Sequence, residues 1–240
     1  MVSLGSLLLA DSRLPTGGHA HSGGVEAVVE RGLLRAEADL ALFLAGRLRG
    51  SGPVLAAVAA AGCLLAAGPP AAEWDCWDAT VSARTPSAAM REASRAQGAA
   101  LLRTARRVWP SAALAALGQI GRPHHPLVLG VVVAAAGGGG DAAAPPPADG
   151  ADVAARLALH HLLGGACAAA VRLLGLDPIA VAAVQARASE ATEQVASAAT
   201  RVARAAVTQR DTRLLPSTGT PLPEVLAELH ARTEVTFFAS

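Results

Sequence analysis

The chain has 240 residues, 52% of them hydrophobic but only 2% aromatic, with no tyrosine and a formal net charge of +1. All 20 of its basic side chains are arginine, and so even a charge balance provides no broad positive field for a nucleic acid backbone. Alanine supplies much of the apolar content, favours helices and buries little surface per residue, so a sheet of β-branched and aromatic side chains is excluded in favour of closely packed helices.

The expected fold class is all-α, a single-domain bundle of about ten alanine-rich helices over residues 1–240. Cys63, Cys76 and Cys167 are odd in number and widely spaced, which fits a reducing cytoplasm better than a disulfide framework or a structural zinc site. Asp11 and Arg13 follow a very short apolar run without a basic leader, so no secretion signal is expected.

In chain order, the segment from Asp11 to Glu26 comes first. Pro15 biases Leu14 toward an extended conformation, and Gly17, Gly18, Gly23 and Gly24 permit backbone angles closed to other residues. Asp11 and Ser12 can bond neighbouring amides, and Ser22 can cap a helix entered through Val25 to Val29. A shaped loop is predicted.

Leu40, Phe43, Leu44 and Leu48 then recur at helical spacing, with Glu37, Asp39, Arg47 and Arg49 outside that stripe. Ser51, Gly52 and Pro53 punctuate this helix. The alanine-rich run Val54 to Ala67 is too short for a span of about 20 residues and reads as a buried helix, closed by Gly68 to Pro70.

Thr85 as N-cap and Pro86 as first helical residue predict a helix continuing to Val108, before Pro110. Met90, Ser94, Gly98, Leu101, Ala105 and Val108 form one stripe, in which Ser94 and Gly98 allow another helix to approach closely. Arg91, Glu92, Arg95, Arg103, Arg106 and Arg107 lie elsewhere, as a solvated charged face does.

Gly137 to Gly140 and Pro145 to Pro147 mark residues 137–150 as a flexible insertion within the domain. From Asp152 to Leu174 the polar exceptions are Asp152, Arg156, His160, His161 and Arg172. The first three fall at successive steps of four, so they share one stripe on an otherwise buried helix, the expected central one.

Asp177 as N-cap and Pro178 at the first position open a long helix. Val181, Val184, Ala188, Ala191, Val195, Ala198, Val202 and Ala205 form a heptad seam, suited to one antiparallel neighbour. A coiled-coil homodimer is the rival, but alanine at half the seam makes a thin interface. Pro216, Pro221 and Pro223 then form a turn, Leu226 and Leu229 sit on a short helix, and Phe237 and Phe238 near the chain end need covering by a core or a partner.

No phosphate loop, nucleophile elbow, dinucleotide fingerprint or kinase set is present, so neither an enzyme nor a bound cofactor is expected. Imidazole suits nickel and zinc, and Asp11 or Glu26 could add an oxygen ligand to His19 and His21. Adjacent histidines on a helix point about 100° apart. That argues against chelation by His160 with His161, and His124-His125-Pro126 is expected to precede a helix at Leu127. A stand-alone nickel- or zinc-binding protein using His19 and His21 is the second reading of the residues.

The run Asp-Ser-x-Leu-Pro-Thr-Gly-x-x-x-His-Ser-x-Gly-x-Glu is carried here by Asp11, Ser12, Leu14, Pro15, Thr16, Gly17, His21, Ser22, Gly24 and Glu26. It resembles the opening signature of the UreF family of urease accessory proteins, which help load nickel into apo-urease; His19 stands where that family more often carries an aromatic residue. Arg-Glu-Ala-Ser-Arg-Ala-Gln-Gly at Arg91 to Gly98 resembles the family's central helix, and Leu157 to Leu176 is moderately similar. The resemblance implies a cytoplasmic, homodimeric nickel-insertion chaperone. Its implied partners are a UreG-type GTPase, a UreD/UreH-type accessory protein and apo-urease; the charge balance and the short apolar runs leave no nucleic acid or membrane partner expected. It further implies partner-interface roles for Asp11, Ser12, Pro15, Gly17, His21, Ser22, Glu26, Glu92, Arg95, Phe237, Phe238 and Ser240, the last three in a partner-binding tail at 214–240. The family's tail is often of Arg-Leu-Phe-Arg-Ser type; only Phe238 and Ser240 match, with Thr236 and Ala239 in place of the arginines.

Overall fold

Helical propensity is realised nearly everywhere: among the residues described by the computed structural model, 4–11, 14, 23–68, 73–137 and 149–231, there are twelve α-helices and no strand. In chain order they are α1 (Leu4–Ala10), α2 (Val25–Glu30), α3 (Glu37–Arg49), α4 (Ser51–Ala66), α5 (Trp74–Ala83), α6 (Ala88–Val108), α7 (Ala112–Leu117), α8 (His125–Gly137), α9 (Gly150–Leu174), α10 (Pro178–Arg187), α11 (Ser189–Gln209) and α12 (Pro221–His230).

Small side chains decide the packing. Helix α4 lies against α8, α9 and α11 and buries Val54 and every residue from Ala56 to Cys63. Each methyl contributes only about 0.8 kcal/mol, so cohesion comes from how closely the helices approach. A Cβ on Gly130 would stand 2.0 Å from the Ala59 carbonyl oxygen, and one on Gly62 would stand 2.6 Å from that of Leu127. The two glycines thus bring the α4 and α8 backbones into direct contact.

Helix α9 is the central helix, as expected. Val153, Leu157 and Leu159 belong to one hydrophobic cluster with α4, α8 and α11, whereas Leu163, Ala166 and Ala170 belong to a second with α2, α3 and α10. By length and composition α9 could cross a membrane, but it is packed among α3, α4, α8, α10 and α11. Its stripe of Asp152, Arg156 and His160 is the least buried side, where Arg156 pairs with Glu193 at 2.7 Å.

Four local expectations are corrected. Ser51, Gly52 and Pro53 form the first turn of α4, and the break lies at Gly50, where α3 and α4 meet at 49°. A Cβ on Gly50 would lie 2.2 Å from Thr220 Cγ2, so the corner must be glycine for the C-terminal segment to pass. The N-cap of α6 is Ser87, whose hydroxyl accepts from the Met90 amide; Thr85 instead donates back to the Val81 carbonyl of α5 at 3.0 Å. Helix α2 is entered through Gly24 at φ 89° with no side-chain cap.

The fourth concerns the seam beyond Asp177, which does cap α10 through the Ile179 and Ala180 amides. The helix breaks at Ala188 because its halves serve different clusters: Val181 and Val184 of α10 join the second, and α11 joins the first. In α11 the buried positions are Ala196, Ala199, Thr200, Ala203 and Ala206, one residue beyond the expected seam. Alanines face α4 directly, Val195 and Val202 flank them, and Ala191 and Ala198 are exposed.

Candidate partner-binding site

Asp11, Gly23 and Gly24, the described ends of the opening segment, line a cleft of about 510 Å³. Helix α1 delivers Asp11 there by lying on α8, where a Cβ on Gly5 would meet the Ala136 carbonyl oxygen at 2.7 Å. The Leu9 carbonyl accepts a hydrogen bond from His161 Nε2 at 2.9 Å. Burial draws His161 below the usual imidazole range against the pull of that carbonyl, and His160 lowers it further.

His125, His160 and His161 all line this cleft, with the ring centroids of His125 and His160 5.9 Å and 6.0 Å from that of His161. Helix α8 begins at His125 itself, earlier than Leu127. Among the described residues no group of three or more His, Cys, Asp or Glu side chains is arranged to hold a metal ion.

The cleft's far edge is fastened by the C-terminal segment. Arg84 donates to the carbonyls of Thr212, Leu215 and Pro216. Thr218 donates to the Gly50 carbonyl at 2.6 Å, and buried Arg47 reaches Thr220. Burial lowers the Arg47 guanidinium to about 10, with Glu224 acting in the opposite direction. On α12, Glu228 accepts from the Ser87 hydroxyl at 2.6 Å and the Ala89 amide at 2.8 Å at the start of α6.

His230, 3% exposed, stands between two carboxylates of α2. Its Nε2 is 3.2 Å from Glu26 and its Nδ1 is 3.1 Å from Glu30. The residues leaving the opening segment are thus joined to those leading toward the tail. Glu26, 2% exposed, is turned inward toward His230.

The Arg91 to Gly98 motif builds a second part of the site. Arg91 donates to the Thr85 and Pro86 carbonyls. Arg95 donates to Asp78 at 2.9 Å, to the Ser82 hydroxyl and to the Arg122 carbonyl. Asp78 also accepts from the His124 amide at 2.7 Å, and the His124 ring lies between the Ser82 and Ser94 hydroxyls. Burial drives His124 down to about 4, against Asp78 and assisted by Arg95 and Arg91. At Gly98 a Cβ would lie 2.0 Å from the Pro123 carbonyl oxygen, so the motif seats the turn that opens α8.

Of the residues singled out in the sequence, the structure brings Asp11 to the cleft, Glu26 to His230, and Arg95 to the buried side of α6. Glu92 stays at the surface in an ion pair with Arg122, its side chain 62% exposed. Ser12, Pro15, Gly17, His19, His21, Ser22, Phe237, Phe238 and Ser240 lie outside the described residues. Asp78, Glu228 and His230 were not singled out, because each acts through partners far away in the chain.

A sequence model of the UreF family matches residues 34–189. A urease accessory protein UreF of Mycolicibacterium vanbaalenii is 42% identical over 244 aligned positions that cover the whole of both chains. That of Mycobacterium marinum is 39% identical over 241 positions, again covering both chains completely. That of Mycobacterium bovis is 42% identical over 204 positions, 83% of this chain and 87% of the relative. The alignments with these relatives span the opening segment and the C-terminal end as well as the helical core, and the chain belongs to the UreF family of urease accessory proteins.

Proposed function

We propose that the protein is a non-catalytic, single-domain adaptor of the cytoplasm. In this reading it acts as a homodimer, links a UreG-type GTPase and a UreD/UreH-type protein to apo-urease during nickel insertion, and modulates the GTPase. The observation that carries this reading is the full-length likeness to urease accessory proteins. The geometry supports it in one respect: the flanks of the opening segment and of the tail are held together by Glu26, Glu30 and His230, as one composite docking surface requires. Asp11, Ser12, Pro15, Gly17, His21, Ser22, Glu92, Arg95, Phe237, Phe238 and Ser240 are the residues proposed to serve it, with Glu26 acting through its contact with His230.

Co-expression with the urease accessory proteins and apo-urease tests the proposal. The protein should co-purify with the GTPase and the UreD/UreH-type partner. Deleting Phe237 to Ser240, or replacing the opening segment, should abolish both co-purification and urease activation. Normal urease activation in cells lacking the protein would overturn the reading.

A further inference from the structure

Resting on the adaptor reading, we infer that the C-terminal half of α6 is a docking surface for a carboxylate-bearing face of a partner protein, gripped by Arg103, Arg106 and Arg107. The three side chains are exposed and, with Gly118 and Gly121, line a hollow of about 450 Å³. Positions three and four apart are neighbours on a helix, so the three guanidinium groups share one patch. A Cβ on Gly118 would come within 3.3 Å of Arg106 Nη1, so this glycine leaves room for the arginine to lie over the turn after α7.

Among the described residues, the chain's own needs do not account for the patch. Cations in the last helical turn complement the helix dipole, but that effect fades beyond the turn, and only Arg106 and Arg107 lie within it. Arg103 lies a turn earlier, at the i, i+4 distance from Arg107 where like charges repel. Other arginines of α6 are engaged within the chain, Arg91 with two carbonyls and Arg95 with Asp78. Among the described residues no ion pair or hydrogen bond engages the side chain of Arg103, Arg106 or Arg107. Glu92, on the same face of α6, is already paired with Arg122, so the face keeps its positive excess on a chain whose net charge is only +1.

Charge complementarity points to aspartate or glutamate side chains, which arginine forks hold in bidentate geometry. A nucleic acid backbone would call for a longer basic track than this one patch.

The test uses the full chain with Arg103→Glu, Arg106→Glu and Arg107→Glu combined, its helicity and melting checked against the parent. Binding to the accessory GTPase, the UreD/UreH-type protein and apo-urease is measured by interferometry at low and high salt. At least one affinity should fall on the order of tenfold with the triple reversal. The triple lysine variant should lose less, and the parent interaction should weaken as salt rises. A control reversing Arg187 and Arg201, exposed on α10 and α11, should bind normally. Unchanged affinities in the triple reversal, or equal losses in the control, would overturn the inference while the adaptor reading stands. A loss confined to duplex DNA binding would overturn it in favour of nucleic acid. If the parent binds none of the three proteins, the adaptor reading fails with it. Should the triple reversal melt early, Arg103→Glu alone carries the same test, because it lies outside the helix's last turn.

Discussion

Replacing Gly130 with alanine tests whether backbone contact between α4 and α8 holds the core together. The added Cβ would stand 2.0 Å from the Ala59 carbonyl oxygen and 2.7 Å from the Cys63 amide nitrogen. Both are backbone atoms of α4, so no side chain can rotate to make room. Restoring ordinary contact at 3.4 Å requires the helices to part locally by roughly 1.4 Å, and a gap of even about 1 Å forfeits up to about half of the dispersion attraction across it. Overpacking typically costs about 1–3 kcal/mol and here belongs at or above the top of that range, while alanine returns about 1 kcal/mol of helix propensity. The net expectation is a loss of roughly 2–4 kcal/mol, or roughly 5–15 °C in melting temperature for a chain of this size. Gly165 on α9 has no atom within 4 Å of the point where an alanine methyl would stand, so Gly165→Ala should stabilise by about 0.5–1 kcal/mol. Urea and thermal unfolding followed by circular dichroism would compare the two. Shifts of the same sign would refute the argument, because helix propensity alone would then explain both.

Three further outcomes are expected. Glu26→Ala leaves buried His230 with one carboxylate and should cost about 2–4 kcal/mol, with faster hydrogen exchange along α12; unchanged exchange there would show that the pair does not hold the helix. His124 falls to about 4 in the folded chain, against about 6.5 when unfolded. At His124 the folded chain thus binds fewer protons between these values, and this group's contribution to stability is full above about pH 6.5 and is lost toward pH 4, by about 3 kcal/mol. Urea midpoints across that range should fall more steeply for the parent than for His124→Gln, and parallel slopes would contradict the assignment. Arg84→Ala removes donors to the Thr212, Leu215 and Pro216 carbonyls; it should cost about 2 kcal/mol and raise exchange near those residues while α4 stays protected, a pattern that mass spectrometry can confirm or deny.

The helices were legible because their signals are local. Asp177 and Pro178 announce α10, and the run of apolar residues announces α9, without reference to the rest of the chain. Errors arose where two local solutions competed. Thr85 and Ser87 are both able to cap, and the choice turned on the carbonyl of Val81, which claims the Thr85 hydroxyl. The heptad seam favoured valine, but contact with α4 favoured the alanines one position later. The site was less legible than the fold. Arg91 to Gly98 was recognisable as a pattern, but its work of seating His124 through Asp78 depends on helices separated in sequence. Nothing near Glu26 predicts His230, about two hundred residues further on, because no periodicity spans that distance.

The pairing of His230 with Glu26 and Glu30 also sets a rule of reciprocity. Any ligand that binds best when α12 lifts from α2 must work against these contacts, and the same free energy then weakens whatever binds best when α2 is held in place. Two ligands that both favour the joined arrangement assist each other by equal amounts, whichever arrives first. The order of arrival is therefore free, while the combination is not.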